Sequence, residues 1–132
     1  MAQESCQFIV YPEQYQLALF PVDSEIDKPL IELDQFISLT YDPESISLIC
    51  PQNMSVEKAK AISREWRVLQ LKGPFAAEKA RTLAKISHLL HDAEIEISVT
   101  ATYDTDYLLV QDSQLDEAVA KLTEAGYPVD RR

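Results

Sequence analysis

The sequence predicts an α+β fold made of two related modules, each an antiparallel sheet with helices on one face. Three observations predict it. First, Ile37-Ser38-Leu39-Thr40, Tyr41-Asp42 and an apolar run to Cys50 return about sixty residues later as Ile97-Ser98-Val99-Thr100, Tyr103-Asp104 and an apolar run to Val110. Such a spacing exceeds the roughly 20 to 50 residues of a solenoid repeat and points to two copies of one small unit. Second, several short segments alternate apolar and polar residues with period two. Third, the second half carries two stretches with apolar residues at helical spacing.

Length and composition bound the rest. A chain of 132 residues fits one compact domain or two modules sharing a core, because a unit of roughly sixty residues alone buries too little surface to be robust. Hydrophobic residues at 46% and charged residues at 26% are ordinary for a soluble globular protein. No apolar run reaches the roughly 18 residues of a membrane span. The formal net charge of −10 repels phosphate backbones and anionic headgroups, and the longest basic cluster is Arg131-Arg132. Neither nucleic acid nor membrane is expected as a partner. Met1-Ala2-Gln3-Glu4-Ser5 has no basic n-region and no long apolar core, which predicts a cytoplasmic location. Cys6 and Cys50 are distant and lie in apolar contexts, so they read as small buried hydrophobes rather than a bridge or a metal pair.

Along the chain, residues 7–11 and 15–20 read as strands turned at Pro12-Glu13. Residues 23–34, with Ile26, Leu30, Ile31 and Leu33, are compatible with a short helix or an ordered loop. Residues 36–41 and 44–50 alternate around Asp42-Pro43 and predict a hairpin. Ser55 as N-cap predicts a short helix through Ile62, and the module boundary falls there, giving modules 1–61 and 62–132. The next strand runs over 66–71, with Trp66 as a core residue, and ends at Lys72-Gly73-Pro74. Gly73 supplies backbone freedom and Pro74 a helix entry. Residues 78–92 place Ala80, Leu83, Ile86, Leu90 and Ala93 on one stripe, an amphipathic helix lying on a sheet. Residues 95–101 alternate, 102–105 turn, and 106–110 return as an inner strand. A second helix starts from Asp112 or Ser113 as N-cap, carries Leu115, Ala118, Val119 and Leu122, and stops with Gly126 at C′; Val129 adds a last strand residue. Strand, helix, strand, strand, helix, strand is the ferredoxin-like order, and the first half follows it with a degraded helix.

Over residues 6–129 the sequence resembles the ACT-domain proteins, in particular the small tandem-ACT family related to cytosolic arginine sensors and, more remotely, aspartate kinase regulatory domains. The resemblance rests on Phe36-Ile37-Ser38-Leu39-Thr40, residues 44–51, Trp66-Arg67-Val68-Leu69, Gly73-Pro74 and the block Thr102-Tyr103-Asp104-Thr105-Asp106-Tyr107-Leu108-Leu109-Val110, followed by Ala118 and Ala125-Gly126. It implies two ferredoxin-like units side by side, with amino acids bound at unit or subunit interfaces in relatives that sense them. The implied ligand contacts are Thr102, Asp104, Thr105 and Asp106, with Glu78 and Arg81 near the helix start. In relatives the stretch after Gly-Pro ends in Thr-Gly, letting backbone amides approach a ligand. Here Arg81 occupies the glycine position, which predicts an earlier helix start. Relatives also commonly have Ser where this chain has Ala101.

Two readings of Asp104 and Asp106 stay open. A carboxylate near a turn accepts charge-assisted hydrogen bonds from an α-ammonium, and Asp and Thr also favour tight turns by bonding their own backbone. Arg81 and Lys79 are candidates for a ligand carboxylate or ordinary solvated residues. His88 and His91, three apart, lie in the last turn of a helix, where imidazolium complements the dipole, and no third metal ligand is placed by sequence. No nucleophile motif or phosphate-binding loop is visible, and the only two histidines share one helix. The expectation is a non-enzymatic protein without cofactor or metal that binds a small molecule, an amino acid, and works as a homodimer. The alternative is a scaffold or partner-binding module that has lost its ligand loop.

Overall fold

The computed structural model describes residues 6–26, 35–73 and 76–132. Most of the undecided 23–34 segment and the proposed helix entry at Pro74 lie outside the described residues. The chain packs as two compact units: residues up to Pro12 with Arg67–Arg132, and Glu13–Trp66. This is not a division at residue 61. Strand β1 (Gln7–Val10) belongs with the carboxy-terminal unit, where it pairs antiparallel with β5 (Ala61–Lys72) and parallel with β8 (Val129–Arg131).

In that larger unit, the part of β5 beyond Trp66 is followed by α1 (Ala76–Asp92), β6 (Ile97–Ala101), β7 (Asp106–Gln111), a 3₁₀ turn (Asp112–Gln114), α2 (Leu115–Glu124) and β8. Strand order is β8-β1-β5-β7-β6, the ferredoxin-like βαββαβ arrangement with β1 inserted between its first and last strands. The fold is thus a mixed one, an antiparallel sheet with two helices among the described residues and a parallel pair at β1/β8. Period-two alternation supplies one apolar face, Phe8 and Val10, Leu69 and Leu71, Leu108 and Val110, and the two helices cover it with Ile86, Leu90, Leu115, Ala118 and Leu122. Burying each large side chain contributes about 1.5–3 kcal/mol. Burial fades along the edge strand β6: Ile97 packs against the core, whereas Val99 is 46% exposed.

Both helices end the same way. The Gly126 N–H donates to the Thr123 carbonyl and the Tyr127 N–H to that of Leu122, with Gly126 at φ 96°. The Glu94 N–H donates to His91 and the Ile95 N–H to Leu90, with Glu94 at φ 61°. These are paired Schellman closures, one built on the expected glycine and one on a strained glutamate. The start of α2 departs from expectation. Asp112 and Ser113 form the 3₁₀ turn, and Gln114 is the N-cap without a side-chain cap bond. The Asp112 carboxylate instead accepts from Arg67 Nη1 at 3.1 Å. The Gln114 side chain accepts from the Glu96 N–H and donates to the Glu94 carbonyl, bracing the strained turn.

In the smaller unit, β2 (Tyr15–Pro21) lies between β4 (Ser45–Pro51) and the first half of β5, and β3 (Ser38–Tyr41) forms the edge beyond β4. Ala18, Phe20, Ile46, Leu48, Cys50 and Val56 make its core. The expected helix over 55–62 is absent. Residues 52–60 turn, and Ala61 and Ile62 pair with Leu19 and Ala18, so β5 begins five residues earlier than predicted. Seven or eight residues hardly offset helix nucleation, and strand pairing along β2 wins. Between the pairs Tyr15–Trp66 and Leu17–Ser63, Arg64 and Glu65 oppose Gln16 alone. This is a β-bulge, with Glu65 at φ 68°. Trp66 is buried, and its indole N–H donates to Ser63 Oγ at 2.8 Å.

Exchanging the two helix-stop residues tests the closures. Glu94→Gly removes a left-handed side chain and an acid at a helix C-terminus, and is expected to stabilise by about 0.5–1.5 kcal/mol. Gly126→Ala, where an added Cβ meets nothing within 4 Å, is expected to cost about 1 kcal/mol from backbone conformation alone. Urea denaturation reads both.

Burial pushes the Cys50 thiol up, against a lowering bond from Gln16, and pushes the Tyr127 hydroxyl up with help from Cys6. Both groups are neutral at low pH, and each ionises less readily folded than unfolded. Their contribution is therefore complete below the unfolded values and is lost as pH rises through the folded ones. Unfolding free energy is expected to fall above about pH 8.5, and Cys50→Ala should flatten the first part of that decline in a denaturation series against pH.

Candidate functional site

The site begins at the β6–β7 hairpin. Ala101 pairs with Asp106, which leaves residues 102–105 as the turn. The Thr102 N–H donates to the Thr105 carbonyl at 2.8 Å, and the Thr105 N–H donates back to Thr102 Oγ1 at 3.2 Å. Thr102 Oγ1 also lies 3.3 Å from Asp104 Oδ1 and 2.9 Å from Thr105 Oγ1. Thr102, Asp104 and Thr105 are therefore brought together, and the two threonine hydroxyls serve the turn itself. Asp104 is exposed, and Tyr103 projects fully into solvent at 102% relative exposure. Asp106, 2% exposed, opens the buried strand β7 rather than the solvent face.

The hairpin at residues 37–45 is built alike. Asp42 donates its N–H to the Ser45 carbonyl at 3.0 Å, and Asp42 Oδ1 accepts from the Ser45 N–H at 2.9 Å. In both hairpins the closing residue is the fifth after the repeated isoleucine, Ile37 or Ile97. A carboxylate in one hairpin and a hydroxyl in the other do the same work.

Sheet direction places the start of α1 at the same end as the 102–105 turn. Gln70, near the end of β5, donates to the hydroxyl of Tyr107, the second residue of β7, while Arg67 at the other end meets Asp112. Gly73, at φ 67°, turns the chain out of β5, so the freedom expected of it is used. Helix α1 is already formed at Ala76, two residues before the predicted start, as Arg81 at the glycine position implies. Arg81 is exposed on this helix. Glu78 lies in the first turn, its side chain outside the described residues. Among the described residues no hydrogen bond or ion pair joins Arg81 to the 102–106 segment. The site offers an exposed carboxylate and aromatic ring at one strand turn and an exposed guanidinium on the neighbouring helix. A binding surface is what such groups provide; nucleophile–base geometry is not among them.

Elsewhere, His88 Nε2 lies 3.2 Å from Asp92 Oδ2, and among the described residues no group of three His, Cys, Asp or Glu side chains is arranged to hold a metal. Cys6 and Cys50 are buried in separate cores. Among the described residues no helix is long and apolar enough to cross a membrane. Sequence reasoning missed Arg67, which bridges Asp112 and the Tyr11 carbonyl (3.0 Å), and Arg64, which meets Gln16 at 3.3 Å. Each partner is more than forty residues away, and periodicity carries no signal for such pairs.

The class defined by this geometry is a ferredoxin-like α+β domain with a turn-and-helix surface. Residues 61–124, a little under half of the chain, match the family model for the ACT domain. The whole chain is similar in fold to a crystallised protein from Agobacterium tumefaciens, with TM-score 0.85 at 21% identity, covering 96% of this chain and 93% of that one. It is similar to the regulatory subunit of aspartate kinase from Thermus thermophilus, with TM-score 0.62 at 9% identity over 89% of this chain and 96% of that one. The aspartate kinase of Clostridium acetobutylicum matches with TM-score 0.65 at 12% identity, over 86% of this chain and 33% of that one. No curated protein sequence matches the chain.

Substitutions in the turn separate folding from surface chemistry. Thr102→Val keeps the shape and removes the Oγ1 contacts, and is expected to cost about 0.5–1.5 kcal/mol. Asp104→Ala, which removes only the exposed 3.3 Å contact with Thr102 Oγ1, should stay within about 0.5 kcal/mol of the parent in the same urea measurement.

Proposed function

We propose that the chain is a regulatory protein that binds a small molecule, an amino acid, and couples occupancy to association with a second copy of itself. The observation that carries this reading is the surface at one end of the larger unit. Asp104 is exposed and gives the turn only one long contact, Oδ1 with Thr102 Oγ1 at 3.3 Å, so its carboxylate can meet an α-ammonium, while Arg81 and Glu78 stand on the adjoining helix start. Thr105 completes the strand side, with Asp106 buried next to it at the start of β7. The ACT-domain match supports a regulatory rather than catalytic role, as does the likeness to an aspartate kinase regulatory subunit and to a kinase described as allosteric. The like-built hairpins support descent of the two halves from one duplicated module.

Association is a matter of linkage. A ligand that binds only the associated form stabilises it by RT ln(1 + [L]/Kd), about 2.7 kcal/mol at a hundredfold excess. Among the described residues, the edge strands β3 and β6 each pair on one side and carry exposed apolar side chains such as Tyr41 and Val99, the kind of surface a homodimer covers. One observation favours the second reading, a scaffold without ligand: α1 already runs from Ala76, so the amides around Arg81 lie inside the helix rather than facing a ligand.

A thermal-shift screen with the twenty amino acids decides between them. One or a few are expected to raise Tm and, in sedimentation velocity, to increase the dimer fraction, and Asp104→Ala should abolish both effects. A Tm flat for every amino acid at millimolar concentration transfers the assignment to the scaffold.

A further inference from the structure

A second polar concavity lies wholly within the unit Glu13–Trp66, a cleft of about 460 Å³ lined by Glu13, Gln14, Gln35, Gln52, Asn53 and Arg64. It shares no residue with the surface at residues 102–106. Its root is Gln16, which is 0% exposed. Gln16 Nε2 donates to the Met54 carbonyl at 2.8 Å and the Pro51 carbonyl at 3.4 Å, which turns its Oε1 to accept from Arg64 Nη1 at 3.3 Å. A buried amide with its own partners satisfied thus fixes one corner of a guanidinium.

The backbone is bent to put it there. Arg64 and Glu65 form the bulge opposite Gln16, and Glu65 is held left-handed by donating its N–H to Gln52 Oε1 at 2.6 Å, while Gln52 Nε2 donates to Gln14 Oε1 at 3.1 Å. Bulges re-aim side chains, and a non-glycine residue at positive φ is kept only where its surroundings hold it.

The charge pattern names the ligand class. Acids outnumber bases by 22 to 12 in this chain, yet among the described residues no carboxylate lies within ion-pair distance of Arg64. A guanidinium carries five N–H donors, and its fork matches two carboxylate oxygens. Gln14, Gln35 and Asn53, whose amides can donate, line the same cleft. Glu13, whose Oε1 accepts from the Tyr15 hydroxyl at 2.9 Å, adds a negative charge that disfavours a dianion. We propose that this cleft binds the carboxylate of a small monocarboxylic molecule, with Arg64 as the anchor and the Gln and Asn amides completing the shell.

Titration of the ¹⁵N-labelled chain with sodium acetate, at ionic strength held constant with chloride, tests this. Saturable shifts are expected at the Gln14, Gln35 and Asn53 side-chain amides and at Arg64 Nε–H. Arg64→Lys should weaken binding roughly tenfold through loss of the fork, and Arg64→Gln should abolish it. Shifts that never saturate, or that survive in Arg64→Gln, overturn the proposal. If Arg64→Gln fails to fold, Arg64→Lys decides, since an unchanged affinity there overturns it equally. Inorganic phosphate producing the larger saturable, Arg64-dependent shifts would overturn the ligand class. Asp104→Ala should leave the acetate titration unaltered, so this cleft and the amino-acid surface succeed or fail separately.

Discussion

The apolar layer between the sheet of the larger unit and its two helices sets what every other part of that unit can do. Six alternating strand side chains meet five from α1 and α2 with essentially no exposure, and a mismatch of one residue in register would turn each strand's set to solvent. Because the layer fixes where each strand and helix ends, polar chemistry is left to the ends. One end carries the 102–105 turn and the start of α1, the other the Arg67–Asp112 pair and the brace from Gln114. The turn contributes about 1 kcal/mol per hydrogen bond, against about 1.5–3 for each large side chain beneath it. Surface residues there can therefore change function at little cost in folding.

The smaller unit solves the same problem with less apolar material. No described helix covers its sheet, and its core holds Ala18 and Cys50 beside Phe20, Ile46 and Leu48. Gln16 stands in this core as a buried polar residue whose amide reaches the Cys50 sulfur, two backbone carbonyls and Arg64. A satisfied network of this kind contributes little net energy, but leaving any member unmet costs about 1–3 kcal/mol. It therefore specifies one arrangement of β2, β4 and the bulge more sharply than an apolar side chain would.

Alternation and helical periodicity made most strands, both long helices and the Gly126 stop legible, because each is a local consequence of one buried face. The placement of β1 was not, since its pairing with β5 and β8 joins residues sixty and more than a hundred apart in sequence. The early start of β5 was hidden by Ser55, a good cap before a segment that β2 claims instead. At the site, Asp and Thr spelled out a turn, and the structure shows that Thr102 closes it while Asp104 remains outward. The Asp112 cap was misread because a capping carboxylate and an Arg partner are alike in sequence, and the Arg67 partner lies 45 residues away.

Among the described residues, two glutamates hold the left-handed backbone outside glycine, and a glutamine side chain secures each: Gln52 takes the Glu65 N–H, and Gln114 gives to the Glu94 carbonyl. The likeness ends with what the strain achieves. At Glu94 it completes a Schellman closure that glycine would complete more cheaply, so the conformation serves the helix stop alone. At Glu65 a glycine would relax the bulge, but the strained residue stands between Arg64 and Trp66, one aimed at the cleft and the other buried in the protein interior. There the energy spent on backbone geometry separates a cationic side chain from an aromatic anchor across a single residue, whereas in a regular strand residues two apart lie on the same face. The bulge, rather than any residue's identity alone, is what gives the smaller unit a place for a ligand.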